Sequence, residues 1–88
     1  MTDHPHAAIA RRLKRANGHL EKIIAMIEQE KPCSQIAQQL QAVESAIESA
    51  KKALIHDHIS HSLNRTVNAS GSRGHAALRD FKLIAKYL

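Results

Sequence analysis

Tryptophan is missing from this sequence, and phenylalanine and tyrosine occur once each. Without large rings a core must be built from Ile, Leu and Ala, which favours helices over a β-sandwich, where aromatic and β-branched residues dominate. The one cysteine, Cys33, excludes an internal disulfide framework and a four-cysteine zinc module. No apolar run reaches the roughly 18 residues of a membrane span, so no transmembrane helix is expected. The opening, MTDHPHAAIARR, lacks the apolar centre of a secretory signal. A cytoplasmic protein with a free thiol is the expectation. Paired carboxylates, a Gly-rich phosphate loop and a nucleophile–base–acid set are all missing, and the eight acids scatter along amphipathic segments. Nothing here reads as an enzyme.

Two things are present in excess. The chain carries 13 Lys and Arg against 8 Asp and Glu, a formal charge of +5, which points to a polyanion as partner. Seven of the 88 residues are histidine, and neutral imidazole is the commonest metal ligand. Polyanion binding and metal binding are the two chemistries to place on the chain.

Eighty-eight residues suit one domain. Pro5 opens the first segment, Pro32 ends it, and Asn68–Gly74 separates the second from the third. Between these breaks the apolar residues step 4, 3, 4, 3, 4: Ile9, Leu13, Ala16, Leu20, Ile23, Ile27, then Ile36, Leu40, Val43, Ile47, Ala50, Leu54. Leu78, Phe81, Ile84 and Leu88 repeat the pattern briefly. These are heptad seams, and no stretch alternates with period two. The spacing predicts an all-α, three-helix subunit with helices over 5–29, 34–64 and 75–87. The second helix would be about 45 Å long, more than the other two can cover. A second copy of the chain would cover the rest, giving an antiparallel helical dimer, with the short third helix available to join dimers into a tetramer.

Arg11, Lys14, Arg15, Gly18 and Lys22 share one face of the first helix, with Arg12 on its flank. A charge run of this kind is ordinarily a solvated surface. Here no acid lies between Asp3 and Glu21, and dimerisation would duplicate the stripe. Arg11, Arg12, Lys14 and Arg15 are therefore the candidate contacts to DNA phosphates. Nothing resembles a helix-turn-helix, so sequence readout would lean on DNA shape.

Cys33 stands at the start of the second helix, where backbone N–H groups and the helix dipole favour negative charge. That makes it a candidate soft ligand or nucleophile. His56, His58 and His61 lie at the far end of the same helix, and His58 and His61 share a side. Singly, each has a structural reading: a lone cysteine as a small hydrophobe, a helix-terminal histidine as a cap. Taken with His4 and His6 at the N-terminus, they form a metal-ligand set. Twenty-five residues of helix separate Cys33 from His58, about 37 Å, so one subunit cannot bring them to one ion. Two antiparallel copies can, which places the site between subunits, with His61, His4 and His6 as further candidate ligands. His19 and His75 read as structural or exposed.

The runs RLKRANGHLEKIIAMIEQEKPC and QIAQQLQAVESAIESAKKALIHDHISH resemble the CsoR/RcnR family of metal-sensing repressors. The resemblance covers nearly the whole chain and implies three-helix subunits in disc-like tetramers that hold operator DNA until an effector binds. It implies that Cys33 and His58 are ligands from different subunits and that Arg12 and Arg15 contact DNA. Copper-sensing members carry a second cysteine four residues after the histidine, and nickel/cobalt sensors carry a histidine. This chain has Ser62 there, with His61 one place earlier. One thiolate with imidazoles suits Ni(II), Co(II) or Zn(II) better than Cu(I), and His4 and His6 look like the nickel/cobalt branch. The expectation is a repressor released by Ni(II) or Co(II) that controls metal efflux. The alternatives are a zinc- or formaldehyde-responsive relative of the same fold, though Thr2 replaces the proline of the formaldehyde branch, and an architectural DNA-binding protein with no effector.

Overall fold

The computed structural model describes residues 6–67 and 72–88. It contains α1 (Ala7–Glu28), α2 (Cys33–Val67) and α3 (Ser72–Ala85), and among the described residues there is no strand. The all-α reading holds. Pro5 and His4 lie outside the described residues. No described helix is long and apolar enough to cross a membrane.

Two of the expected boundaries shift. α2 runs on to Val67, because no glycine or proline interrupts it before Gly71. Ser72, Arg73 and Gly74, which read as linker by composition, form the first turn of α3. One glycine costs a helix only about 1 kcal/mol, too little to prevent the turn.

The chain forms two compact units, Met1–Lys51 and Lys52–Leu88, with α2 contributing to both. In the first, α1 and the opening half of α2 are joined by residues 29–32, and so short a link makes them antiparallel neighbours. α1 ends in a Schellman motif: Lys31 N–H donates to the Met26 carbonyl (3.0 Å) and Glu30 N–H to that of Ile27 (3.0 Å). Glu30 occupies the left-handed position of the motif with φ 57°, where glycine is the usual residue. α2 then starts with the Pro32 carbonyl accepting from Gln35 N–H (3.0 Å) and Ile36 N–H (3.1 Å). The side-chain bond between His19 and Gln39 fixes the antiparallel register, with Ile9 level with Ala50 and Ala16 level with Val43.

Burial splits each predicted seam in two. Ile9, Ala16 and Ile23 in α1, and Val43 and Ala50 in α2, are buried, with Ile23 only 1 % exposed. The alternate members stay open: Leu13 (43 %), Leu20 and Ile27 in α1, and Leu40, Ile47 (47 %) and Leu54 in α2. Two helices in contact use one line of each seam, so the seven-residue partner line has no cover within the chain.

The second unit packs the end of α2 against α3. Ile55 is buried, but the apolar fill is incomplete: a cleft of about 420 Å³ is lined by Ile59, Leu63, Ala77, Leu78 and Phe81, with His58 at its edge. Leu78, Phe81 and Leu88, read from sequence as a seam, are therefore exposed in the chain by itself.

Candidate functional site

Cys33, the first residue of α2, is exposed and forms no disulfide. Its position at the opening of the helix follows from Pro32, whose carbonyl receives the first helical hydrogen bonds. His58 lies on the same helix, which is unbroken between the two. His61 is exposed, and Ser62 is half-buried beside the apolar cleft. His6 is the residue at which α1 begins, its carbonyl accepting from Ala10 N–H at 2.9 Å. His4 lies outside the described residues. Among the described residues no group of three or more His, Cys, Asp or Glu is gathered closely enough within the chain to hold a metal ion.

His58 is the candidate ligand whose geometry is most defined. Its Nε2 is hydrogen-bonded to Oδ2 of Asp80 on α3, and both side chains are partly exposed. With the proton on Nε2 donated to the carboxylate, the lone pair of Nδ1 is left to face a ligand. A carboxylate behind the imidazole is the usual support of a metal-bound histidine, fixing its tautomer and raising its basicity. Sequence reading missed Asp80. The signal was available: it is the one acidic residue after Asp57, set in a helix otherwise basic or apolar.

On α1, Arg11, Arg12, Lys14 and Arg15 are all exposed, as a DNA face requires. The structure separates them. Arg12 and Arg15 line a cleft of about 500 Å³ together with Ala16, His19, Ala46 and Ser49, whereas Arg11 and Lys14 do not. Arg12, placed on the flank of the stripe by helical spacing, thus shares a lining with Arg15. His19 is structural in part, as expected, since it is half-buried with its Nε2 2.6 Å from Gln39 Oε1. His75 is exposed.

The sequence pattern of a family described as "Metal-sensitive transcriptional repressor" matches residues 5–86. The chain is similar to the copper-sensing transcriptional repressor CsoR of Mycobacterium ulcerans (strain Agy99), at 38 % identity over 78 residues, covering 89 % of this chain and 64 % of that protein. It is similar to the copper-sensing transcriptional repressor RicR of Mycobacterium tuberculosis (strain ATCC 25618 / H37Rv), at 39 % over 62 residues, covering 70 % of this chain and 65 % of that one. The chain thus spans less than two thirds of the length of these curated relatives. No solved structure matches it.

Proposed function

Because the chain belongs to the metal-sensitive transcriptional repressor family, a family of regulators and not of enzymes, we propose that it binds operator DNA in its metal-free state and releases it when an ion is captured between two subunits. The observation that carries this reading is the placement of Cys33 and His58 at opposite ends of one unbroken helix, with His58 already backed by Asp80. An antiparallel second copy brings Cys33 of one protomer to His58 of the other, and two-fold symmetry makes two such sites.

The uncovered halves of the seams support that pairing. Leu40, Ile47 and Leu54 recur every seven residues along α2, and Leu13, Leu20 and Ile27 do so along α1, all exposed in the single chain. A patch of this kind marks a protein–protein surface, and a homodimer, extended to a tetramer through α3, is the assembly we propose. The basic face of α1, with Arg11, Arg12, Lys14 and Arg15, supplies phosphate contacts to the operator. A repressor of this kind works in the cytoplasm and governs metal efflux genes.

The donor set favours Ni(II) or Co(II), with Zn(II) next. Cys33 is the only thiol, and the remaining candidates, His58, His61, His4 and His6, are borderline nitrogen ligands suited to those ions. Asp80 holds the His58 ring in place, and Cys33 contributes the single anionic sulfur. The competing effector is copper, favoured by the names of the two relatives. One experiment separates the two: titrate the protein–operator complex with Ni(II), Co(II), Zn(II) or Cu(I) and follow release by fluorescence anisotropy. Release at one equivalent of Ni(II) or Co(II), with Cu(I) ineffective at that ratio, supports the proposal. Release by Cu(I) alone replaces nickel and cobalt with copper, and release by none leaves an architectural DNA-binding protein.

A further inference from the structure

The cleft between α1 and α2 offers something the exposed basic stripe does not. Arg12, Arg15, Ala16 and His19 occupy positions i, i+3, i+4 and i+7 of α1, and Ala16 is buried at the contact with α2. The cleft therefore runs along the junction of the two helices, and Ala46 and Ser49 of α2 close its other side. Its space, about 500 Å³, exists because the residues at the junction are small: Ala16, Ala46 and Ser49. No carboxylate lines it. Glu48, next to Ser49 in sequence, has a carboxylate oxygen 3.2 Å from Lys51 Nζ. Two guanidinium forks, an imidazole and a hydroxyl thus surround a recess with no acid in its lining.

That set has one chemical complement. Guanidinium groups pair with phosphate oxygens through two parallel N–H···O bonds, and a serine hydroxyl donates to a third oxygen. The His19 ring is held in place by Gln39 of α2, 2.6 Å away, so it needs little ordering on binding. We propose that this cleft takes one backbone phosphate of duplex DNA per protomer, gripped from α1 by Arg12, Arg15 and His19 and from α2 by Ser49. This rests on the DNA-binding reading above and adds to it: Arg11 and Lys14 serve as exposed, long-range charge, while the phosphate in the cleft fixes the position of the duplex. A phosphate held by both helices also makes DNA affinity depend on how α1 and α2 are packed.

The test uses the full-length, metal-free protein and a short mixed-sequence duplex at low salt, since backbone contacts do not depend on sequence. Ala46→Leu fills the cleft without changing any charge, and Ala46 is exposed enough to accept the larger side chain. We expect about a tenfold loss of affinity, the size of one lost charge-assisted contact. The slope of log K against log salt should flatten by about 0.9 for that contact. Ser49→Ala and His19→Leu should each weaken binding in the same direction, and they carry the test if Ala46→Leu lacks wild-type helicity. Inorganic phosphate, titrated separately and followed by calorimetry, distinguishes a free-anion site from a DNA site. If wild-type protein binds the duplex while folded cleft variants keep its affinity and slope, the cleft is not a DNA contact, whether or not it binds inorganic phosphate. If wild-type protein binds no duplex at all, the DNA-binding reading itself fails, and this inference with it.

Discussion

Ile47 offers a direct measure of whether the open halves of the seams are an interface. It lies near the middle of α2, where two antiparallel copies related by a two-fold axis must meet. Ile→Ala removes three carbons, worth about 0.8 kcal/mol each when fully buried, or roughly 2.4 kcal/mol in all. In a lone chain the residue is 47 % exposed, so about half of that, roughly 1.2 kcal/mol, would be lost on folding. Burial in a dimer adds the other half from each protomer, and about 2.4 kcal/mol per dimer raises the dissociation constant roughly fifty-fold. Ile23→Ala is the control, because Ile23 is already 1 % exposed within the chain. It should cost roughly 2–5 kcal/mol of folding stability with little direct effect on subunit affinity. Sedimentation equilibrium supplies the dissociation constants, and urea melts at several protein concentrations supply the stabilities. A monomeric wild-type protein at micromolar concentration, or an Ile47→Ala dimer as tight as wild type, would refute the assignment of this line to a partner.

Three further outcomes follow from particular residues. Glu30→Gly should stabilise the protein by about 0.5–1 kcal/mol, read as a shifted urea midpoint, because Glu30 sits at φ 57° in the α1 cap and glycine adopts that conformation without a Cβ clash. Asp80→Ala should weaken metal binding by about 10–100-fold in competition with a chelator, the usual loss when the carboxylate behind a metal-bound histidine is removed. Ser62→Cys should raise Cu(I) affinity while leaving Ni(II) affinity little changed, since a second thiolate on the His58 end of α2 supplies the soft donor that Cu(I) selects.

The helices were legible because their apolar residues recur with one period and few residues interrupt them. Which half of each seam packs inside the chain was not. Ile9 and Leu13 belong to the same heptad pattern, and only the register of α1 on α2, tied by His19 and Gln39, shows that Ile9 is buried and Leu13 is left open. The start of α3 was misplaced because Ser72–Gly74 has the composition of a linker and the backbone of a helix. Of the candidate site, the types and spacing of Cys33 and His58 could be read directly. Asp80 could not be paired with His58, because their contact joins two helices through packing that no local spacing encodes. Likewise, helical angles placed Arg12 beside the basic stripe, and only the small residues of α2 opposite it reveal the cleft it shares with Arg15.

The account's central claim is that Cys33 and His58 hold one ion from two different subunits. Mixing Cys33→Ala with His58→Ala protein, each unable to bind tightly by itself, tests it most directly once subunit exchange has been verified. A mixed dimer has one site with both ligands intact and one with neither. Calorimetry with Co(II) should therefore recover tight binding at no more than one ion per mixed dimer. If exchanged subunits still bind no Co(II), Cys33 and His58 do not share an ion, and the inter-subunit site is wrong.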